Sequence, residues 1–196
     1  MTERPATLVV MALEIEAQGV FERAGVPVLY TGLGKINAAL SLMRALRDYR
    51  HAAQAPPLVL NFGTAGSHSL PSGTLVACQS FVQRDMDVSG LGFALGVTPF
   101  EEVPAQLDFP AVFAELPVAL CGSGDSFQMG VAKLHCEVID MEAYALAKVC
   151  RLEGARFGCA KFVTDGADGA AASDWQRNLP RAAAAFWQLY RRYARL

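Results

Sequence analysis

The stretch "LVLNFGTAGSHS", Leu58 to Ser69, decides the fold. Its first five residues are apolar apart from Asn61, with no alternation between apolar and polar positions. A strand with one solvated face alternates, whereas an unbroken apolar run belongs to a strand covered on both faces. Pro56 and Pro57 precede it and end whatever helix came before. That helix is legible upstream: in "KINAALSLMRALRDYR", from Lys35, Ile36, Leu40, Met43 and Leu46 recur at helical spacing. Small residues follow the run, at the place where a buried strand turns.

The same alternation extends outward in both directions. "TLVVMAL", "PVLYTGL", "TLVACQSFV", "PVALCGSGDSF" and "FGCAKFVTD" read as further strands. A short helix through Glu22, a helix in "VIDMEAYALAKVC" and terminal helices fall between and after them. Strand–helix alternation with continuous apolar strands predicts an α/β sandwich around a largely parallel or mixed sheet. With 196 residues, 53% of them apolar, one domain over 1–196 can bury a full core.

Composition excludes several function classes. A formal net charge of −2 leaves no footprint for nucleic acid or an anionic membrane. The arginines of "AAAAFWQLYRRYARL" fall largely outside a stripe made by Phe186, Leu189, Tyr190 and Tyr193, which predicts an ordinary docked helix. No run approaches the ~18 apolar residues of a membrane span. "TLVVMALEIE" is cut short by acids and has no basic leader, so it reads as a first strand rather than a signal peptide. Five scattered cysteines without CxxC spacing predict reduced thiols in a cytoplasmic protein. His135 and Cys136 are adjacent, which makes no recognisable zinc motif, and no metal is expected.

Acids collect at strand ends. Glu14 and Glu16 follow the first strand, Asp125 follows "VALCGSG", Asp165 follows "KFVT", and Asp140 and Glu142 stand where a segment enters its helix. Ligands in such folds gather beyond the carboxyl ends of strands, so a shared acidic site is one reading. The plain alternative for Asp140 is an N-cap held by the helix dipole. Glu142 poses the sharper question. On a helix it would share a face with Ala145, Leu146 and Val149, and a buried carboxylate needs a partner.

"TGLGKINAA" carries Gly-x-Gly before a helix but lacks the remaining residues of either phosphate-binding fingerprint, so a tight strand-to-helix turn explains it. "NFGTAGSHS" and "CGSGDSF" bring backbone close to a flat ligand. Beside several carboxylates they suggest a ligand rich in hydroxyl and NH groups, since a polyanion would be repelled.

Taken together, these segments resemble the nucleoside phosphorylase/hydrolase superfamily, and within it the 5′-methylthioadenosine/S-adenosylhomocysteine nucleosidases. "ALEIEAQ", "TGLGKINAAL", "NFGTAGS", "RDMDVSGLGFALGVTP", "SGDSF", "DMEAYALAKVC" and "VTDGAD" follow the family's motifs in order along nearly the whole chain. The resemblance implies a three-layer sandwich with a central mixed β-sheet flanked by helices. It also implies cleavage of the bond between ribose and a purine. That reaction passes through an oxocarbenium-like sugar and needs a carboxyl group on each side.

By resemblance, Asp165 is the general acid that protonates the purine and Glu16 the base that holds the attacking water. Glu142 accepts hydrogen bonds from the ribose hydroxyls, Met141 packs on the sugar, and Phe127 stacks on the purine with backbone near Gln128 reading its edge. Thr64 and Lys161 fall where the family has a serine and an arginine near the water. Ala65, Gly66 and Thr164 complete the expected substrate contacts. The family implies no cofactor, and a homodimer in which a partner loop completes the 5′ side of the pocket.

The chain also departs from the pattern. Between Gln18 and Thr31 it is too short for the family's β-hairpin, and Ser173 and Trp175 look like futalosine hydrolases, which remove a different base. Glu16 at the place of the nucleophile would repel phosphate, which favours hydrolysis over the phosphorylase branch. A nucleoside sensor is the non-catalytic alternative, although binding alone does not require an acid and a base on opposite faces.

Overall fold

A computed structural model describes residues 6–126, 132–166 and 171–194 of the chain. Eight strands are present among them: β1 Thr7–Met11, β2 Val28–Tyr30, β3 Leu58–Gly66, β4 Leu75–Gln83, β5 Gln106–Asp108, β6 Val118–Ser123, β7 Val138–Asp140 and β8 Phe157–Asp165. Four helices accompany them: α1 Glu14–Ala17, α2 Lys35–His51, α3 Ala143–Glu153 and α4 Ala171–Ala194.

The sheet is mixed. β1 pairs in parallel with β2 and β3, and β3 with β8. A second parallel set, β4–β6–β7, runs antiparallel to the first where β4 meets β8. The two sets meet again where Gly66, the last residue of β3, pairs with Ile139 of β7. Carboxyl ends from both sets therefore lie side by side at this seam. Short β5, which the hydrophobic pattern did not reveal, pairs antiparallel with β4, and Val138–Asp140, read with the helix that follows, is strand β7.

Both faces of the sheet are buried, as the unbroken apolar strands predict. Val10 and Val59 pack with Ala38, Leu42 and Leu46 of α2 and with the apolar face of α3. The alternate positions Val9, Met11, Leu60 and Phe62 pack with Ala17, Phe21 and, from α4, Ala182, Phe186 and Leu189. This is the three-layer sandwich. At about 25 cal/mol per Å² of apolar surface, each fully buried Leu or Phe contributes ~1.5–3 kcal/mol, so both layers are held mainly by this packing.

Three local expectations are corrected. The stripe read in α2 does not face the core: Ile36, Leu40 and Met43 are 78%, 48% and 39% exposed, and Ala38 and Leu42 are buried with Leu46 instead. The turn expected after Phe62 is still strand, because β3 continues through Gly66. A single helix, α4, with Pro180 inside it, replaces several terminal helices. Between Gln18 and Thr31 the chain forms a 3₁₀ turn, Glu22–Ala24, and strand β2, with no hairpin. All five cysteines are free thiols, and no helix among the described residues is long and apolar enough to cross a membrane.

Candidate active site

A cavity of about 250 Å³ opens at the seam. Glu16, Thr64, Ala65, Gly66, Met141, Glu142, Thr164 and Asp165, all predicted from sequence, line it. Lys161 is not among its lining residues, and Phe127 and Gln128 lie outside the described residues.

Glu16 stands in the four-residue α1, just past the end of β1. Its Oε1 accepts the Thr64 backbone N–H at 2.9 Å and the Thr64 hydroxyl at 2.8 Å, and its Oε2 accepts the Leu13 N–H at 3.1 Å. The approach to β3 depends on Gly63. A Cβ there would sit 3.0 Å from Lys161 Nζ and 3.7 Å from Glu16 Oε1. Glycine inside the strand thus admits two functional side chains against its backbone.

Asp165 ends β8. The pairing of β3 with β8 shifts register after Ala65, so that Gly66 faces Asp165 and Thr164 is the extra residue. Such a bulge re-aims the side chain that follows it. The Thr164 hydroxyl lies 2.7 Å from Asp165 Oδ2 and 3.3 Å from the Ala65 carbonyl. Glu16 is thereby anchored at Thr64 and Asp165 opposite Gly66, two residues apart along β3, or about 6–7 Å at the rise of a strand.

Asp140 and Glu142 divide the roles that sequence left open. Asp140 meets buried Lys161 at 2.8 Å and accepts from the Ala143 N–H at 2.9 Å and from the Ser123 hydroxyl. Burial raises its proton affinity, but the ammonium of Lys161 and these donors outweigh burial and hold it below the ordinary aspartate range. Lys161 is likewise pushed up: burial opposes its charge, and the Asp140 carboxylate more than compensates. Lys161, expected near the water, is 1% exposed, and its ammonium pairs with Asp140.

Glu142 is the N-cap residue of α3, with a non-helical backbone, so it precedes the apolar face on which the sequence placed it. Its Oε1 accepts the Gly34 N–H at 2.8 Å. Gly34 has φ +90°, and a Cβ there would come 3.1 Å from Asp125 Oδ1. The Gly-x-Gly turn therefore serves as a donor to a carboxylate. Burial first, then the charge of Asp140, raises Glu142 to about 7.

Asp125 and Glu14 do not join the cavity lining. Asp125 caps α2 through the Lys35 N–H at 2.7 Å and pairs with the Lys35 ammonium at 3.1 Å. The sequence reading missed Arg84 and gave Trp175 no role in the site, yet both line the cavity. The Arg84 guanidinium donates to the Gly124 and Ser126 carbonyls and to the Ser126 hydroxyl. The Trp175 indole donates to Thr64 Oγ1 at 2.9 Å. An arginine in the turn just past β4 and a tryptophan in an amphipathic helix carry no local signal of a cavity. Among the described residues no group of His, Cys, Asp and Glu is arranged to hold a metal.

Residues 17–195 match the family model of the phosphorylase superfamily. The chain belongs to that superfamily. A 5′-methylthioadenosine/S-adenosylhomocysteine nucleosidase of Marinomonas sp. (strain MWYL1) is 28% identical over 176 residues, spanning 75% of this chain and 71% of the relative. A solved Helicobacter pylori nucleosidase of the same name superposes with a TM-score of 0.84 at 19% identity, over 98% of this chain and 99% of that one. The futalosine hydrolase of Helicobacter pylori superposes with a TM-score of 0.82, also at 19% identity, over 97% of each chain. Within the superfamily, then, this backbone is shared by enzymes named for different nucleosides.

Proposed function

We propose that the protein is a purine nucleosidase that hydrolyses the N-glycosidic bond of a 5′-modified adenosine, such as methylthioadenosine or S-adenosylhomocysteine. One observation carries this reading: Glu16, Glu142 and Asp165, far apart in sequence, line a single cavity. Glu16 takes a proton from water while the water oxygen bonds to the anomeric carbon of the sugar. The C–N electron pair leaves with the purine, which is protonated by Asp165. Ionised Glu142 accepts the ribose hydroxyls and stabilises the sugar as positive charge develops. Met141 packs on the sugar, and the backbone of Thr64, Ala65 and Gly66 supports the substrate, with Thr164 holding Asp165.

Among the described residues of the cavity wall, Arg84 is the feature that favours phosphorolysis. Its donors reach the carbonyls of the loop at 124–126, however, and Glu16 stands where phosphate would enter. Water is the better nucleophile. Trp175 in the wall supports a futalosine-type substrate as the second reading, because this residue marks the likeness to futalosine hydrolases.

The exposed row Ile36, Leu40 and Met43 on α2, with Leu33 at the cavity, supports a homodimer whose contact reaches the site. Five free thiols support a cytoplasmic setting.

The experiment is incubation with methylthioadenosine, adenosylhomocysteine, futalosine and inosine, with and without phosphate. Free adenine from the first two without phosphate is expected. Release only from futalosine, or only with phosphate, selects an alternative, and binding without product selects a sensor.

A further inference from the structure

The carboxylate of Glu16 is held asymmetrically. Oε1 accepts two donors, the N–H and the hydroxyl of Thr64, whereas Oε2 accepts one, the Leu13 N–H. Each carboxylate oxygen offers about two acceptor sites. The Thr64 hydroxyl could point its single proton elsewhere, and what directs it is Trp175. Indole N–H is a donor only, so at 2.9 Å it occupies a lone pair of Thr64 Oγ1 and leaves the hydroxyl proton for Glu16. The chain Trp175–Thr64–Glu16 is therefore polarised in one direction, toward the carboxylate.

The origin of the relay is itself fixed. Asn178, one turn along α4 and buried, donates to the Thr164 carbonyl at 2.9 Å, to Ser72 Oγ at 3.1 Å and to the Asp174 carbonyl at 3.0 Å. These bonds pin the start of α4 to the end of β8, beside Asp165. The indole thus has a defined height over β3. Its N–H goes to Thr64, so within the wall of the cavity Trp175 does more than present a ring.

We infer that Trp175 is a positioning residue: through the Thr64 hydroxyl it saturates Oε1 of Glu16 and assigns Oε2 as the oxygen that takes the proton from water. This rests on the nucleosidase reading. The three groups that hold the Glu16 carboxylate are all donors.

The test is a double-mutant cycle of Trp175→Phe and Thr64→Val, with Thr64→Ser as the conservative variant, on whichever nucleoside the wild-type protein cleaves. Losing one hydrogen bond of the relay should lower kcat about tenfold in either single variant with little change in KM. The double variant should be no slower than Thr64→Val, and Thr64→Ser should retain near wild-type rates. The indole N–H resonance of Trp175 should move in Thr64→Val and stay in place in Thr64→Ser. Multiplying losses, a change confined to KM, or an unmoved resonance would overturn the relay while leaving the nucleosidase reading intact. A wild-type protein that releases no base from any nucleoside would overturn that reading and the relay's purpose with it.

Discussion

Glu142 is 7% exposed, and the Gly34 N–H is the donor on its carboxylate among the described residues. Desolvation and the neighbouring Asp140 raise it from 4.5 to about 7. Between those two pH values the folded protein keeps a proton that the unfolded chain has released. Stability is therefore greatest below the window and falls as pH rises through it, by roughly 3 kcal/mol. Thermal unfolding of the ligand-free protein from pH 4.5 to 7.5 should show this slope, and Glu142→Gln should remove it; parallel curves would reject the assignment. Asp140 is held in the opposite direction and contributes only in more acidic solution, so the two do not overlap. The same shift has a functional side. The ionised carboxylate is the form that accepts sugar hydroxyls, so riboside affinity should increase with pH through about 7, while free adenine should bind without that dependence. The sequence raised the question of what a buried Glu142 meets. Its answer, a backbone N–H from 108 residues away, is a tertiary contact that no local pattern contains.

At the scale of elements, the Lys161–Asp140 pair joins β8 to β7 across the seam at 2.8 Å, with both side chains almost wholly buried. Removing one partner of such a pair leaves an uncompensated charge in the interior. Lys161→Met should cost about 3–5 kcal/mol in a urea titration, and distinctly less in an Asp140→Asn background. Equal costs in both backgrounds would show that packing, not charge, dominates. A lysine inside "FGCAKFVTD" signals a buried charge, but its partner lies 21 residues earlier on another strand, so sequence alone could not choose between Asp140 and a ligand. Helix α2 was legible in extent and wrong in orientation. It carries apolar residues on more than one face, and periodicity weights Ile36 and Leu40 above the small Ala38 that allows close packing. Burial of the long strands on both faces was read well because an unbroken apolar run leaves no choice of face, although β3 ends at Gly66 and not at Phe62. β5 was missed because three residues with a single buried position give no period to detect.

Over the whole molecule, two parallel strand sets meet at their carboxyl ends, and this arrangement brings the acids of β1, β7 and β8 together. The acids after β1 and at the end of β8 were legible because each follows a recognisable strand, whereas β7, Val138–Asp140, opens a segment that reads as helix. Arg84 and Trp175 were not, since their distance from the cavity depends on how the sheet curls and where α4 docks. The face that α2 leaves exposed belongs to the same scale. If a second copy covers it, Ile36→Asp together with Leu40→Asp should halve the mass seen by light scattering and weaken nucleoside binding, because Leu33 connects that face to the cavity. An unchanged mass would place the contact elsewhere. The central claim is that three side chains surround one riboside, with Glu16 and Asp165 on opposing sides of its sugar. A crystal structure of Asp165→Asn with methylthioadenosine measures this directly. The account predicts ribose hydroxyls on Glu142, the anomeric carbon facing Glu16, and the purine ring nitrogen at residue 165. A nucleoside bound outside this cavity, or seated with its hydroxyls turned from Glu142, would contradict it.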